Sequence, residues 1–462
     1  MCPSIRIQQI GWLFFARSSK TGCFQIRQGL VTTRGSLGAM DIGASAEISP
    51  GVEAAAPERP WLFGLLIAPM AVISNGLIGG VLLYLLRNQG VEPGRGSEIV
   101  ALLNLPQIIY FLWSPVTDFW IRRRTWLIVA ASAAAVTMLA AFYEPTLANP
   151  RAVALMFLSA SFSQLIVAGC GGMMGTLHRE ESRRRAGSFY QSGSLAFGAA
   201  AVFVLAMFSE KLKLGTLGWI TAAMIVLPSL AALASPEQKT VDKSSLRETL
   251  ARIWHEFKGT FLRWEAIPYT LLMIFPMGSG AMIQMLPGLA ADYHISGQQV
   301  AWINGFAGTL LTAAGALATT MIPARVRASV AYLLVCILNE VALAVLWLGP
   351  MRPSVYLIGS MLFLFTVGAC YALFTAVVLE FLGSSGKSGS TRYSIINSLG
   401  NIPVAYMVLL DGRGYARWGA RGMPGTDVML GIVGAAALLI LILNRRPGKS
   451  PEAHRAEIAA QI

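Results

Sequence analysis

The chain has 462 residues, of which 55% are hydrophobic and 13% charged, with a formal net charge of +13 and a mean hydropathy of +0.59. Counting its 46 glycines as apolar and leaving out its 12 tyrosines brings the apolar share to roughly 62%, where soluble domains sit near 45–50% with about 25% charge. This excludes a soluble chain of about three globular domains and points to an integral membrane protein.

Residues 1–60 differ from the rest. Ile10–Phe15 is an apolar patch too short for a span, and Ser45–Glu58 is rich in small and acidic residues, as disordered tails are. Met40 could begin a shorter reading frame. Residues 1–39 are therefore either an over-extended gene start or a basic, weakly membrane-associated tail.

Beyond the tail, the sequence predicts twelve apolar stretches of near spanning length. They are Trp61–Leu86, Ile99–Phe119, Trp126–Tyr143, Ala152–Leu177, Ala186–Phe208, Leu217–Ala234, Ile267–Ala291, Val300–Ile322, Ser329–Leu348, Val355–Leu382, Ser394–Leu410 and Val428–Leu443. Long two-residue alternation is absent, which argues against a barrel. With both termini cytoplasmic, 27 of the 36 lysines and arginines fall on the cytoplasmic side and 9 outside, as the positive-inside rule requires. The only loop against the trend follows span eleven, with Arg413, Arg417 and Arg421. Charge dispersed over short loops suits an anionic lipid surface and not nucleic acid. The five cysteines form no disulfide framework, and no cysteine–histidine spacing suggests a zinc site.

Six spans lie on each side of a polar stretch, Ser235–Glu265, whose later part carries Leu246, Leu250, Ile253, Trp254 and Phe257 at helical spacing. That part reads either as an amphipathic surface helix or as a solvated linker. The expected organisation is a tail over 1–60, a six-helix bundle over 61–234, a cytoplasmic linker over 235–266, a second bundle over 267–444 and a tail over 445–462. This 6+6 arrangement resembles the major facilitator superfamily. The fold expected is therefore all-α and integral to the membrane, with twelve transmembrane helices as two six-helix bundles.

After span two comes Trp113-Ser-Pro-Val-Thr-Asp118-Phe-Trp-Ile-Arg122-Arg123-Arg124. It resembles the superfamily's loop signature, G-x-L-a-D-r-x-G-R-R, in Asp118, Arg122 and Arg123, and departs from it at Ser114, Phe119 and Ile121. The resemblance implies a cytoplasmic latch that closes in one state and opens in the other; otherwise the cluster only sets topology. The second half has Pro323-Ala-Arg325-Val-Arg327 at the equivalent place, without an acid.

Three patches narrow the resemblance: Leu105–Asp118, Ser390–Pro403 and Tyr84-Leu-Leu-Arg-Asn-Gln-Gly90. They look like the AmpG-like muropeptide permeases of the peptide/acetyl-CoA/drug transporter branch. That branch implies a proton-driven permease for peptidoglycan fragments or other anionic metabolites. Tyr110 stands where the branch has a lysine, which leaves the substrate open.

Ionisable groups inside spans are few and each is a functional hypothesis. Glu340 is the deep one, expected either to couple protons or to be a neutral acid bonded to Asn339 or a neighbouring helix. Glu380 and Asp411 sit nearer helix ends, where water or a base is at hand. Neutral polar residues at depth are candidates for a substrate cavity or for helix–helix contacts. They are Asn75, Asn104, Gln107, Tyr110, Gln164, Gln191, Gln284, Asn304, Asn397 and Asn401. Phe275-Pro276-Met277 predicts a kink in span seven.

The expected function is a monomeric secondary transporter of a small organic solute in a bacterial inner membrane, with no cofactor beyond a proton gradient. An efflux permease and a non-transporting sensor of the same fold are the rivals. A membrane-embedded enzyme is disfavoured, because no deep histidine and no G-x-S-x-G occurs.

Overall fold

The computed structural model describes residues 58–444 apart from 113–115, 118–120, 176, 178–179, 236–246, 249–250, 252–253, 256–257, 259–272, 324 and 383–388. The expectations for both tails, for Asp118 and for most of the linker lie outside the described residues. The regular secondary structure of the described residues is all helical, with no strand among them. In chain order the main helices are α1 (Leu62–Asn88), α2 (Pro93–Ile109), α3 (Arg123–Phe142), α4 (Pro150–Gly175), α5 (Glu180–Phe208) and α6 (Leu214–Ser229). The second half continues with α7 (Ala281–Leu289), α8 (Gly297–Met321), α9 (Ala328–Leu348), α10 (Pro353–Leu382), α11 (Gly389–Trp418) and α12 (Gly422–Asn444). Each of the twelve expected stretches overlaps one of these helices, and nine described segments are long and apolar enough to cross a membrane.

The halves repeat each other in packing. In the first, α1 packs on α5, α2 on α4, α3 on α4 and α3 on α6; in the second, α7 packs on α11, α8 on α10, α9 on α10 and α9 on α12. Adding six to each label of the first set gives the second. The main packing between the halves is α1 with α7, α2 with α11 and α5 with α8, and the last two exchange under the same rule. The sequence suggested this repeat only by span counting; packing shows it directly.

Membrane helices turn apolar side chains outward and keep polar ones inside. On α9, Leu334, Ile337, Leu338 and Val341 form an exposed face, while Cys336, Asn339 and Glu340 are buried. The α1 helix is buried nearly all round. Its middle, Ala71–Val81, widens to π geometry, as does Ala301–Ala307 of α8, a form often found at functional sites.

The kink predicted in span seven is a full break. Phe275–Gly280 leaves the helix, with Gly278 at φ +63° and Gly280 at φ +73°. An L-residue rarely adopts these angles, and a Cβ at Gly280 would stand 1.9 Å from the Tyr371 hydroxyl. A break at this depth frees carbonyls that must find donors. Tyrosines from three helices supply them: Tyr332 of α9 donates to the Met277 carbonyl (3.2 Å), Tyr371 of α10 to Ser279 (3.4 Å) and Tyr406 of α11 to Ile274 (2.7 Å).

Candidate functional site

Dense polar bonding between the halves lies at one end of the molecule, where α1 stops and α8 starts. Arg87, in the last turn of α1, forks onto Asp292, just beyond α7: one guanidinium nitrogen reaches Oδ2 at 2.5 Å and the other Oδ1 at 2.8 Å. Such planar bidentate pairing fixes both distance and angle. Arg87 also donates to the Gly288 carbonyl and, at 3.2 Å, to the Tyr415 hydroxyl of α11. The Tyr415 hydroxyl donates to Asp292 at 3.2 Å, and the Arg87 guanidinium lies 5.6 Å from the centre of its ring. Both charged side chains are about one-fifth exposed, so the pair is only partly screened by water.

A second tie runs in the opposite chemical sense. Glu210, just beyond α5, accepts from the Tyr84 hydroxyl of α1 at 2.7 Å and from the Gly297 backbone N–H at 3.0 Å. Gly297 is the first residue of α8, where free N–H groups favour a negative charge. A Cβ at 297 would stand 2.6 Å from Tyr84 Oη and 2.8 Å from Glu210 Oε1, so both groups would have to move. The intervening loop is pinned by Tyr293, which donates to the Leu346 carbonyl at 2.7 Å. Burial pushes its hydroxyl up to about 12, so it stays a donor.

Toward the middle of the interface, three expected cavity amides come together. Asn104 of α2 donates across the halves to Gln284 Oε1 of α7 at 2.7 Å; Gln107 reaches back to Asn104 Oδ1 at 3.4 Å. Asn401 of α11 donates to the Gln107 carbonyl at 3.5 Å. Asn75 is exposed although its neighbours along α1 are buried, and it donates to Ser194 of α5 at 2.9 Å. Gln191 of α5 is also exposed. Gln164 is instead buried in a network with Ser74 and Ser163 that ties α4 to α1. Asn304, in the π segment of α8, accepts from Tyr356 at 3.0 Å, and its Nδ2 is buried without a hydrogen-bond partner. Tyr110 is buried at the end of α2. The side chains of Glu380 and Asn397 lie outside the described ones. Amides that pair with one another can exchange those bonds for a solute's hydroxyl, amide or carboxyl groups.

At the opposite end, Arg123 donates to the Gly172 carbonyl of α4 at 2.8 Å, within the first half, and Arg122 is exposed at the start of α3.

Glu340 is buried as expected, but Asn339 is not its partner: that amide donates to Thr366 of α10 at 2.8 Å. Asp411, expected to have water or a base nearby, is fully buried, with the Asp427 carboxyl beside it. Sequence reasoning missed Asp292, Glu210 and Asp427 altogether. Tyr84 and Arg87 stood in a patch noted only for its family resemblance. The available signal was a base at the end of span one and an acid at the end of span seven, positions equivalent under the internal repeat.

Solved structures with the same fold include a mutant form of the nucleoside transporter NupG (TM-score 0.64, 13% identity, covering 82% of this chain and 98% of that one). A POT family transporter in complex with 5-aminolevulinic acid matches with TM-score 0.64 and 11% identity over 85% and 96% of the two chains. A D-xylose-proton symporter matches with TM-score 0.61 and 13% identity over 82% and 95%. Comparison with curated proteins gave no match. The family model of the Major Facilitator Superfamily matches residues 64–408. The chain therefore belongs to the Major Facilitator Superfamily: it is a multi-pass membrane transporter and not an enzyme.

Proposed function

We propose that the chain is a twelve-span, proton-coupled secondary transporter that works by alternating access of its two halves. The observation that carries this reading is the double tie at the Arg87 end, Arg87–Asp292 and Glu210–Gly297, beside an amide ladder that also crosses between the halves. Contacts that cross between halves must break for one half to rock against the other. With the basic loops cytoplasmic, the Arg87 end faces outside, and the structure corresponds to an outward-closed state. The latch of Asp118, Arg122 and Arg123 is then the opposing gate, closed when the Arg87 end opens.

The substrate is a small polar organic solute of the sugar, peptide or anionic-metabolite class, muropeptide-like compounds included. The amides Asn104, Gln107 and Gln284 suit such groups, with Asn75, Tyr110, Gln164, Gln191, Asn304 and Asn397 as further cavity candidates. Glu340 and Glu380 are the candidates for coupling. Fold neighbours named for nucleosides, 5-aminolevulinic acid and D-xylose with protons support the substrate size and polarity.

Uptake of labelled solutes into proteoliposomes, with and without an inward proton gradient, tests the proposal. Gradient-stimulated accumulation is expected. Retained binding without flux would instead support a sensor, and flux indifferent to the gradient would remove proton coupling.

A further inference from the structure

The last two turns of α11 are packed on three sides. Tyr415 bonds to Arg87 and Asp292 at the clamp. Gly412 and Ala416 lie on α2: a Cβ at Gly412 would stand 1.5 Å from Ser97 Oγ, and one at Gly94 would stand 3.2 Å from the Ala416 Cβ. Gly414 lies on α12, where a Cβ would stand 2.5 Å from the Gly422 carbonyl oxygen. The remaining side carries Arg413 and Arg417, one turn apart and both exposed. It is the side turned away from the clamp and from both packed neighbours, and so toward the surrounding membrane.

Their depth follows from the sequence. The apolar run of span eleven ends at Leu410, but the helix continues to Trp418. At 1.5 Å per residue, Arg413 and Arg417 sit about 4.5 and 10.5 Å beyond that end. The headgroup layer is about 5–8 Å deep on each side of a bilayer. Helical side chains tilt toward the N-terminus, which for α11 brings both guanidinium groups back toward the lipid. Exposed aromatic residues mark the interface at this same end: Trp418 beside the arginines, and Trp219 with Tyr143 on the first half, joined by a 3.0 Å hydrogen bond.

These charges have no balance within the protein. Neither Arg413 nor Arg417 pairs with an acid among the described residues. Of the acids that open α2, Glu98 is held by Arg95 at 2.6 Å, and Glu92 pairs with no base among the described residues. Arg421 is set apart, donating to the Gly349 carbonyl at 3.3 Å. Two like charges one turn apart repel each other, and both stand in the one loop region whose basic residues run against the charge trend of the chain. An anion shared between them removes the repulsion and matches the forked donors of arginine. Leu409 and Leu410, half-buried one turn earlier on the same side, offer an apolar wall below the charges.

We infer that Arg413 and Arg417 together bind the phosphate of an anionic phospholipid, in the leaflet at the Arg87 end. The acyl chains lie along α11 over Leu409 and Leu410. A zwitterionic lipid is disfavoured, because its ammonium group meets the second arginine. The site needs only that the chain spans a membrane, and it stands whether or not the clamp is a gate.

Photocrosslinking at this position reads the site without interference from basic loops elsewhere. The full-length protein, with p-benzoylphenylalanine in place of Trp418, is placed in vesicles of equal parts phosphatidylglycerol and phosphatidylcholine, and the captured lipid is identified by mass. Phosphatidylglycerol should be captured in excess of its share by up to about thirtyfold, about fivefold for each arginine. The excess should shrink at high salt and disappear in Arg413→Gln with Arg417→Gln. Both positions are exposed, so the double variant should fold as the wild type does. Capture in proportion to vesicle composition in the wild type, or an excess that survives the double variant, overturns the site. Loss of the excess on adding soluble glycerol phosphate at millimolar concentration would show a site for free anions and overturn the lipid assignment.

Discussion

Asp292 and Asp411 both belong to the second half and meet opposite fates. Asp292 is about one-fifth exposed and is held by an arginine from the other half of the molecule; Asp411 is fully buried inside the second half, with Asp427 beside it. An acid with an arginine fixes geometry, because the pair exists only while the halves stay together. An acid without one responds to proton availability, because its charge has no other balance. The fold thus gives one acid a partner across the halves and keeps the other inside one half.

Removing the arginine should break this contrast most severely. Arg87→Ala leaves Asp292 partly buried and unpaired, which should destabilise the closed Arg87 end by about 3–5 kcal/mol. Site-directed distance measurements should show it open, and the exchange Arg87→Asp with Asp292→Arg should recover part of the closure. Gly297→Ala drives a Cβ into Tyr84 and Glu210. It should cost about 1–3 kcal/mol, visible as faster thiol labelling of cysteines placed behind the clamp. Tyr415→Phe keeps the ring under Arg87 but loses the hydroxyl. A cost of about 1 kcal/mol is expected, read in the same labelling assay, and unchanged labelling would show that the hydroxyl adds nothing to closure. Arg122→Ala, at an exposed position on the opposite end, should shift closure at the Arg87 end by less than about 0.5 kcal/mol. A larger shift would mean that the two ends are more directly coupled than the contacts described here provide.

Much of this molecule is written in its sequence at low resolution. The scarcity of charge and the spacing of apolar runs give the helical membrane fold, since a span must satisfy its own backbone and shed charge along its length. The break in span seven is announced by Pro276 with Gly278 and Gly280, although the three tyrosines that satisfy it come from spans far away in the chain. Polar residues at depth stand out individually, yet their partners do not. Nothing local distinguishes Gln164, locked in a serine network, from Asn104, which bridges the halves. The clamp was illegible because Arg87 and Asp292 are 205 residues apart and each looks like an ordinary loop charge. Asp427 was passed over because the apolar run that marked span twelve begins at Val428, whereas the helix begins at Gly422. Burial of a helix's first turns depends on its neighbours and not on its own hydropathy.

The central claim is that the Arg87–Asp292 pair holds one end closed while the other is free to open. Two label pairs test it in the same preparation: Arg151 with Arg352 at the Arg87 end, and Thr125 with Arg327 at the opposite end, all at exposed positions. In Arg87→Ala, the first distance should lengthen and the second shorten, because the halves rock as units about the interface between them. Distances that stay as in the wild type, or that lengthen at both ends together, would contradict the account.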